Sequence, residues 1–189
     1  MRTVNGTLGT AFGLVAKSPR LVPALLRRDR DAVKALASSV VFAGRKATEV
    51  NEHGKRFAER VASTWIRPRT LALLRGHQAR GHDVVLVSAS FGAYLRPLGD
   101  RLGVDAVLCT ELAIDGTSCC TGELDAGNCR GEEKVRRLHD WLATQFGGRD
   151  RVELWAYGDS AGDHAMLRDA DHAIWLGSDR KRPAGVNSA

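Results

Sequence analysis

Val84-Val85-Leu86-Val87-Ser88-Ala89-Ser90 decides how the rest of this chain is read. Four aliphatic residues in an unbroken run follow the Gly81-His82-Asp83 break. That composition predicts a strand covered on both faces in a parallel sheet. Small polar residues take over at Ser88 and mark the strand's carboxyl end. In an open α/β sheet, ligands collect beyond the carboxyl ends of strands. Ser88, Ala89 and Ser90 are therefore the first residues to examine for chemistry.

Upstream of this strand, residues 7–80 read almost entirely as helix. Leu8, Phe12, Val15 and Ala16 recur at helical spacing, and Leu21, Ala24 and Leu25 begin a second stripe beyond Ser18-Pro19. Ala32, Val33, Leu36, Val40 and Val41 form a third. Ala47, Val50, Phe57, Val61 and Trp65 form a fourth, entered after Gly44. Pro68 can open another helix, carrying Leu71, Leu73, Leu74 and His77, and Gly81 is placed to stop it.

Downstream, strands and helices alternate. Val104 to Leu108 is a weaker strand, and Asp115-Gly116 predicts the turn of a hairpin running from Glu111 to Glu123. Residues 132–145 predict a helix with Val135, Leu138, Trp141 and Leu142 inward. Val152 to Tyr157 is a strand, followed by the turn Gly158-Asp159-Ser160-Ala161-Gly162-Asp163 and a helix from His164 to Arg168. His172 to Leu176 is the last strand, and the residues from Gly177 onward read as a loose tail. The alternation places the chain in the α/β class, with a doubly wound, Rossmann-like parallel sheet.

Composition narrows the functions without choosing one. The 189 residues are 43% hydrophobic and 26% charged, enough to bury a core without disulfides. The formal charge of +6 would suit an anionic partner. However, the basic residues gather only at Arg27-Arg28-Asp29-Arg30 and Arg180-Lys181-Arg182, with no aromatic residues among them for base stacking, so nucleic acid is not expected. No apolar run reaches membrane-spanning length and no signal peptide is evident, which predicts a cytoplasmic protein without membrane attachment. Cys109, Cys119, Cys120 and Cys129 form no Cys-x-x-Cys pair and lack a nearby histidine at zinc-site spacing, so they are expected to be reduced thiols.

Each candidate site residue has a plain structural reading beside the functional one. Asp159 and Asp163, four residues apart on a glycine-bearing turn, can face one cavity and hold a hard cation such as Mg²⁺. Equally, Asp159 or Ser160 can cap the following helix, with Asp163 a first-turn acid favoured by the helix dipole. Ser88 can donate its hydroxyl to a phosphate oxygen, or cap the next helix. Lys134 can supply a fixed positive charge to a transferring phosphoryl group, or sit solvated on its helix.

Taken in order, these elements resemble a known family. The stretches Val84 to Pro97 (VVLVSASFGAYLRP), Gly127 to Leu138 (GNCRGEEKVRRL) and Glu153 to Leu167 (ELWAYGDSAGDHAML) look like the second, third and fourth motifs of haloacid-dehalogenase (HAD) phosphatases. They resemble in particular subfamily IB, the phosphoserine-phosphatase-like branch. The likeness covers about residues 20–177. It implies that residues 1–66 are a helical cap inserted near the N-terminus, that 67–178 are the α/β core, and that 179–189 are a loose basic tail. It further implies that Ser88, with Ala89 and Ser90, and Lys134 hold phosphate, and that Asp159 and Asp163 organise Mg²⁺. Arg130 is a second candidate for the lysine's role.

The resemblance breaks at the family's first motif, Asp-x-Asp-Gly-Thr. Its first aspartate forms an aspartyl-phosphate and its second acts as acid and base. The nearest string here is Thr3-Val4-Asn5-Gly6-Thr7-Leu8, with Thr3 and Asn5 in place of both acids. Only four residues precede Asn5, too few for the strand that would present it. One expectation is a longer native product that carries the missing strand and nucleophile. In that case the present chain would have a gap between the strands bearing Ser88 and Asp159, with self-association through the open edges. The family-level expectation is a Mg²⁺-dependent phosphatase of a small phosphorylated metabolite. The alternative is a non-catalytic module that binds a phosphate ligand or a protein.

Overall fold

The computed structural model describes residues 30–188. They form six helices, labelled α1 (Arg30–Phe42), α2 (Ala47–Thr64), α3 (Pro68–Gln78), α4 (Gly92–Leu102), α5 (Glu132–Phe146) and α6 (His164–Asp169). The strands are β1 (Val85–Phe91), β2 (Ala106–Ile114), β3 (Cys120–Asp125), β4 (Trp155–Gly158), β5 (His172–Trp175) and β6 (Asn187–Ser188). The stripes expected before Arg30 lie outside the described residues. The strands form two three-stranded sheets, ordered β1-β2-β3 and β4-β5-β6. β4, β5 and β6 run parallel, while β2 and β3 are antiparallel. The class is α/β with a parallel-containing sheet, as the alternation of elements predicts. Among the described residues no ladder joins the two sheets. No described helix is long and apolar enough to cross a membrane.

The described residues divide into two compact units. The first holds those up to Pro68 together with Phe91–Leu102 and Thr110–Gly127. Here α2 lies on α4 through Gly54, whose missing side chain makes room for the Ala93 carbonyl. Phe57 packs edge-on against Tyr94, with ring centroids 5.0 Å apart, and against Trp65 at 5.6 Å. α1 lies on β3 where Gly122, at φ 88°, leaves no room for a Cβ beside Ser39 and Ala43. The hairpin forms where Asp115-Gly116 predicts it. The Asp115 carboxylate accepts hydrogen bonds from Thr117 N–H, Thr117 hydroxyl and Cys119 N–H at 2.7–3.0 Å. That local network lets Ser118 take its φ of 63°.

The second unit holds Arg69–Ser90, Gly103–Cys109 and the residues from Asn128 onward. Its core joins Leu138 and Leu142 of α5, Ala156 of β4, Met166 and Leu167 of α6, Trp175 of β5, and Val186. Val135 and Trp141 pack at its margin, so the inward face of α5 is the one its periodicity predicts.

Three expectations are corrected here. β1 does not end at Val87 but continues to Phe91, placing Ser88, Ala89 and Ser90 inside the strand; α4 opens only at Gly92, so Ser88 caps no helix. β1 is also half-buried along its whole length rather than fully covered; among the described residues it is the outer strand of its sheet. Finally, the tail is not loose to its end. Asn187 and Ser188 pair with Ile174 and Trp175, and buried Val186 anchors the segment to the core. A two-residue strand carries no periodicity, and one buried valine gives the sequence little to distinguish it from a tail.

Candidate functional site

Within the second unit, the end of β1, the start of α5 and the turn after β4 supply a linked set of side chains. Lys134, in the first turn of α5, is only 6% exposed. An ammonium cannot stay charged in such a place without acceptors. Its Nζ donates to the Val87 carbonyl at 2.7 Å and to Asp163 Oδ1 at 2.6 Å, tying β1 to the turn after β4. The third N–H has no partner among the described residues. The solvated reading of Lys134 is therefore excluded, and the phosphate-facing reading keeps one donor available.

Asp163 spends both its oxygens. Oδ1 takes Lys134, and Oδ2 accepts from the Ser160 hydroxyl at 2.7 Å, from Ser160 N–H at 3.0 Å and from Asp159 N–H at 3.3 Å. Burial pushes the Asp163 carboxyl toward a higher pKa, but the Lys134 charge and the Lys134 and Ser160 hydrogen bonds outweigh it and hold it below the ordinary value. The helix-start reading and the site reading of this acid thus coexist in one side chain.

Asp159 is exposed at the end of β4. Mg²⁺ takes one or two carboxylates and completes its shell with waters and substrate oxygens. Asp159 and Asp163 give this turn two carboxylates, the oxygen donors that such an ion takes. Among the described residues no three His, Cys, Asp or Glu side chains gather as a metal cluster.

The Ser88 hydroxyl oxygen accepts the Ser90 N–H at 3.1 Å, so its own O–H remains to be donated, and no acceptor for it occurs among the described residues. Behind it lies Cys129, fully buried, whose thiol donates to the Leu108 carbonyl at 3.6 Å. Burial pushes that thiol's pKa up, partly offset by Arg137, Lys134 and a hydrogen bond from the Ser88 backbone. Cys129 is thus a packing and hydrogen-bonding support for Ser88. All four cysteines are free thiols, with Cys109, Cys120 and Cys129 buried.

Arg130 is brought to the same turn. Its Cγ and Nε lie 3.1 and 3.2 Å from where a Cβ on Gly162 would stand, and the Ser160 hydroxyl lies 3.6 Å from that point. Gly131 N–H completes the junction by donating to the Gly162 carbonyl at 3.0 Å. Neither the contact of Gly162 with Arg130 nor that of Cys129 with Leu108 can be read from the local sequence. Their roles depend on contacts across 20 or more positions, as in the 21-residue span from Cys129 to Leu108, and leave no local pattern.

With the α/β fold and this arrangement established, the family comparison is decisive: the haloacid dehalogenase-like hydrolase model matches residues 3–168. This chain belongs to the haloacid dehalogenase-like hydrolase family. The HAD match begins at Thr3 and so takes in the Thr3–Leu8 string. Among its relatives is protein CicA of Caulobacter vibrioides, 34% identical over 161 residues, covering 85% of this chain and 70% of CicA. A probable phosphatase of Mycobacterium tuberculosis is 32% identical over 108 residues, 57% of this chain and 36% of that protein. The fold is that of a probable phosphoserine phosphatase from Vibrio cholerae, with TM-score 0.61 and 19% identity over 91% of this chain and 51% of the other.

Proposed function

We propose that this HAD chain binds the phosphoryl group of a small phosphorylated metabolite at Ser88 and Lys134, and that Mg²⁺, organised by Asp159 and Asp163, is its cofactor. The observation that carries the reading is the buried Lys134–Asp163 pair at 2.6 Å, which fixes a cation between β1 and the turn after β4. Preorganised charge of this kind acts on a transferring phosphoryl group without reorganising. The Ser88 O–H and the third Lys134 N–H are donors for phosphoryl oxygens, and Asp163 keeps Lys134 aimed. Mg²⁺, when bound, supplies positive charge to those oxygens. Ala89 and Ser90 shape the β1 segment around them.

In this reading the full reaction is hydrolysis of a phosphomonoester through an aspartyl-phosphate. Thr3 and Asn5 supply neither the nucleophilic aspartate nor the aspartate that acts as acid and base, so the present chain is expected to bind phosphate without turnover. That same substitution favours the second reading, a HAD fold used only to bind a phosphorylated ligand or protein. The two divide on one experiment: Mg²⁺-dependent phosphate release from p-nitrophenyl phosphate by protein purified from its native source. Release that is lost in Asp159→Asn supports the phosphatase. Binding without release supports the module, and release unaffected by Asp159→Asn removes Asp159 from the site.

A further inference from the structure

We propose that His77 and His82 form a proton-operated latch between α3 and β4, and that the latch governs how firmly the turn bearing Asp159 and Asp163 is held; this rests on the phosphoryl-binding reading above. β4 ends at Gly158 and runs straight into that turn. Among the described residues it pairs on one flank only, with β5, so the contacts on its faces carry more of its hold. On one face Ala156 enters the core with α5 and α6. On the other, Trp155 and Tyr157, two positions apart, meet His77 of α3. His77 is buried, its Nε2 lies 2.8 Å from the Tyr157 hydroxyl, and its Nδ1 lies 2.9 Å from His82 Nδ1. Both ring nitrogens are therefore engaged, one toward the strand and one toward the residues that follow α3.

The two imidazoles meet end to end. Their ring centroids are 5.1 Å apart and their Nδ1 atoms 2.9 Å apart, so both nitrogens stand between the rings on nearly one line. Such a contact holds one proton, which one Nδ1 donates and the other accepts. With that proton on His82, His77 Nε2–H donates to the Tyr157 oxygen, and a further proton has room on His82 Nε2. The pair then carries one charge and keeps both bonds. The next proton must go to His77 Nδ1. Two N–H groups then face each other with no acceptor between them, and the contact has to open. Nothing around His77 welcomes that second charge. Among the described residues the groups that face it are Arg80 and His82 from beyond α3, and Tyr157 and Trp155 from β4, and none is an acid. His172 of β5 stacks on Trp155 at 4.3 Å and pairs instead with Glu153 at 2.7 Å. Burial, then Arg80 and His82, hold His77 below the ordinary histidine value, so the latch is closed at neutral pH and opens in acid. Opening frees the Tyr157 face of β4 and loosens the turn that follows it.

The test is calorimetric titration of the full chain with inorganic phosphate in Mg²⁺ at about pH 8 and about pH 5.5, on either side of the ordinary histidine value. Wild type, His77→Gln and Tyr157→Phe are compared, with near-UV circular dichroism confirming the fold of each. Phosphate itself titrates over this range, but equally for all three, so the ratio of variant to wild-type affinity isolates the latch. His77→Gln keeps a donor for the Tyr157 oxygen and takes up no proton. It is expected to match wild type at about pH 8 and to bind about fivefold more tightly than wild type at about pH 5.5, the scale of one net hydrogen bond. Tyr157→Phe unlinks β4 with both histidines in place. It should bind about fivefold more weakly than wild type at about pH 8 and equally at about pH 5.5, a pattern that plain loss of packing does not give. A His77→Gln ratio that is the same at both pH values overturns the latch, while phosphate binding by the wild type leaves the phosphoryl-binding reading intact. If His77→Gln does not fold, His82→Gln, at the less buried position, decides by the same ratio. If the wild type binds no phosphate, the phosphoryl-binding reading fails, and the amides of Asp159–Asp163 in ¹⁵N-labelled protein decide the latch. Shifts that follow the same pH curve in His77→Gln as in wild type overturn it, and shifts lost in His77→Gln uphold it.

Discussion

Lys134 Nζ holds two acceptors that lie 47 and 29 positions away, the Val87 carbonyl and the Asp163 carboxylate. Removing one member of a buried pair strands the other charge in a poor solvent for it. Lys134→Met is therefore expected to cost about 3–5 kcal/mol, and pairing it with Asp163→Asn should restore part of the loss. Urea denaturation of both variants measures this, and a loss under about 1 kcal/mol for Lys134→Met would show the pair to be idle. The pH dependence has a definite sign. Because the folded Asp163 carboxyl lies below its ordinary value, its contribution is full above the ordinary carboxylate range and is lost as pH falls through the folded pKa. Asp163→Asn should flatten that part of the acid limb. His77 works in the opposite range. It is buried on α3, with Nδ1 2.9 Å from His82 Nδ1 and Nε2 2.8 Å from the Tyr157 hydroxyl. Burial first, then Arg80 and His82, lower its pKa below 6.5. The unfolded chain therefore takes up the proton first, and stability should fall as pH drops from about 6.5 toward the folded pKa. Thermal unfolding between pH 5 and 8 is expected to show this slope in the wild type and a smaller one in His77→Gln; equal slopes would remove His77 as its source.

At the level of elements, Gly54 gives the clearest prediction. A glycine inside an exposed helix is worth replacing with alanine by about 1 kcal/mol. In α2 the added methyl would meet the Ala93 backbone carbonyl of α4, which cannot swing aside as a side chain can. Gly54→Ala is expected to destabilise by about 1–3 kcal/mol in chemical denaturation, and a gain in stability would show that α2 and α4 separate easily. The sequence announces α5, the Asp115 hairpin and the helices from Arg30 onward, because each has strong local periodicity or turn chemistry. It does not announce where β1 ends. Ser88-Ala89-Ser90 has weak strand propensity, and pairing with β2 holds the segment extended regardless. β4 begins at Trp155 and not at Val152 for a similar reason. The Asp171 side chain takes the Leu154 N–H at 2.8 Å, replacing the first rung expected there. The candidate site is legible as a list of residues, Ser88, Arg130, Lys134, Asp159 and Asp163. Its pairing is not. Whether Lys134 or Arg130 meets Asp163 is a question about spans of about thirty residues, which no local pattern encodes.

For the whole molecule, the +6 charge and the HAD fold make different claims about where an anion goes. A diffuse basic surface would attract phosphate weakly and everywhere, with Arg180-Lys181-Arg182 a natural focus. A built site concentrates it on β1, the start of α5 and the turn after β4. The two three-stranded sheets leave β1 and β4 each with one flank outside the ladders described. Most decisive is a titration of ¹⁵N-labelled protein with inorganic phosphate in the presence and absence of Mg²⁺, followed amide by amide. Saturable shifts confined to Ser88–Ser90, Arg130–Lys134 and Asp159–Asp163, and dependent on Mg²⁺, are the expected result. Shifts that do not saturate, or that centre on Arg180–Arg182, would contradict a phosphoryl site in this fold.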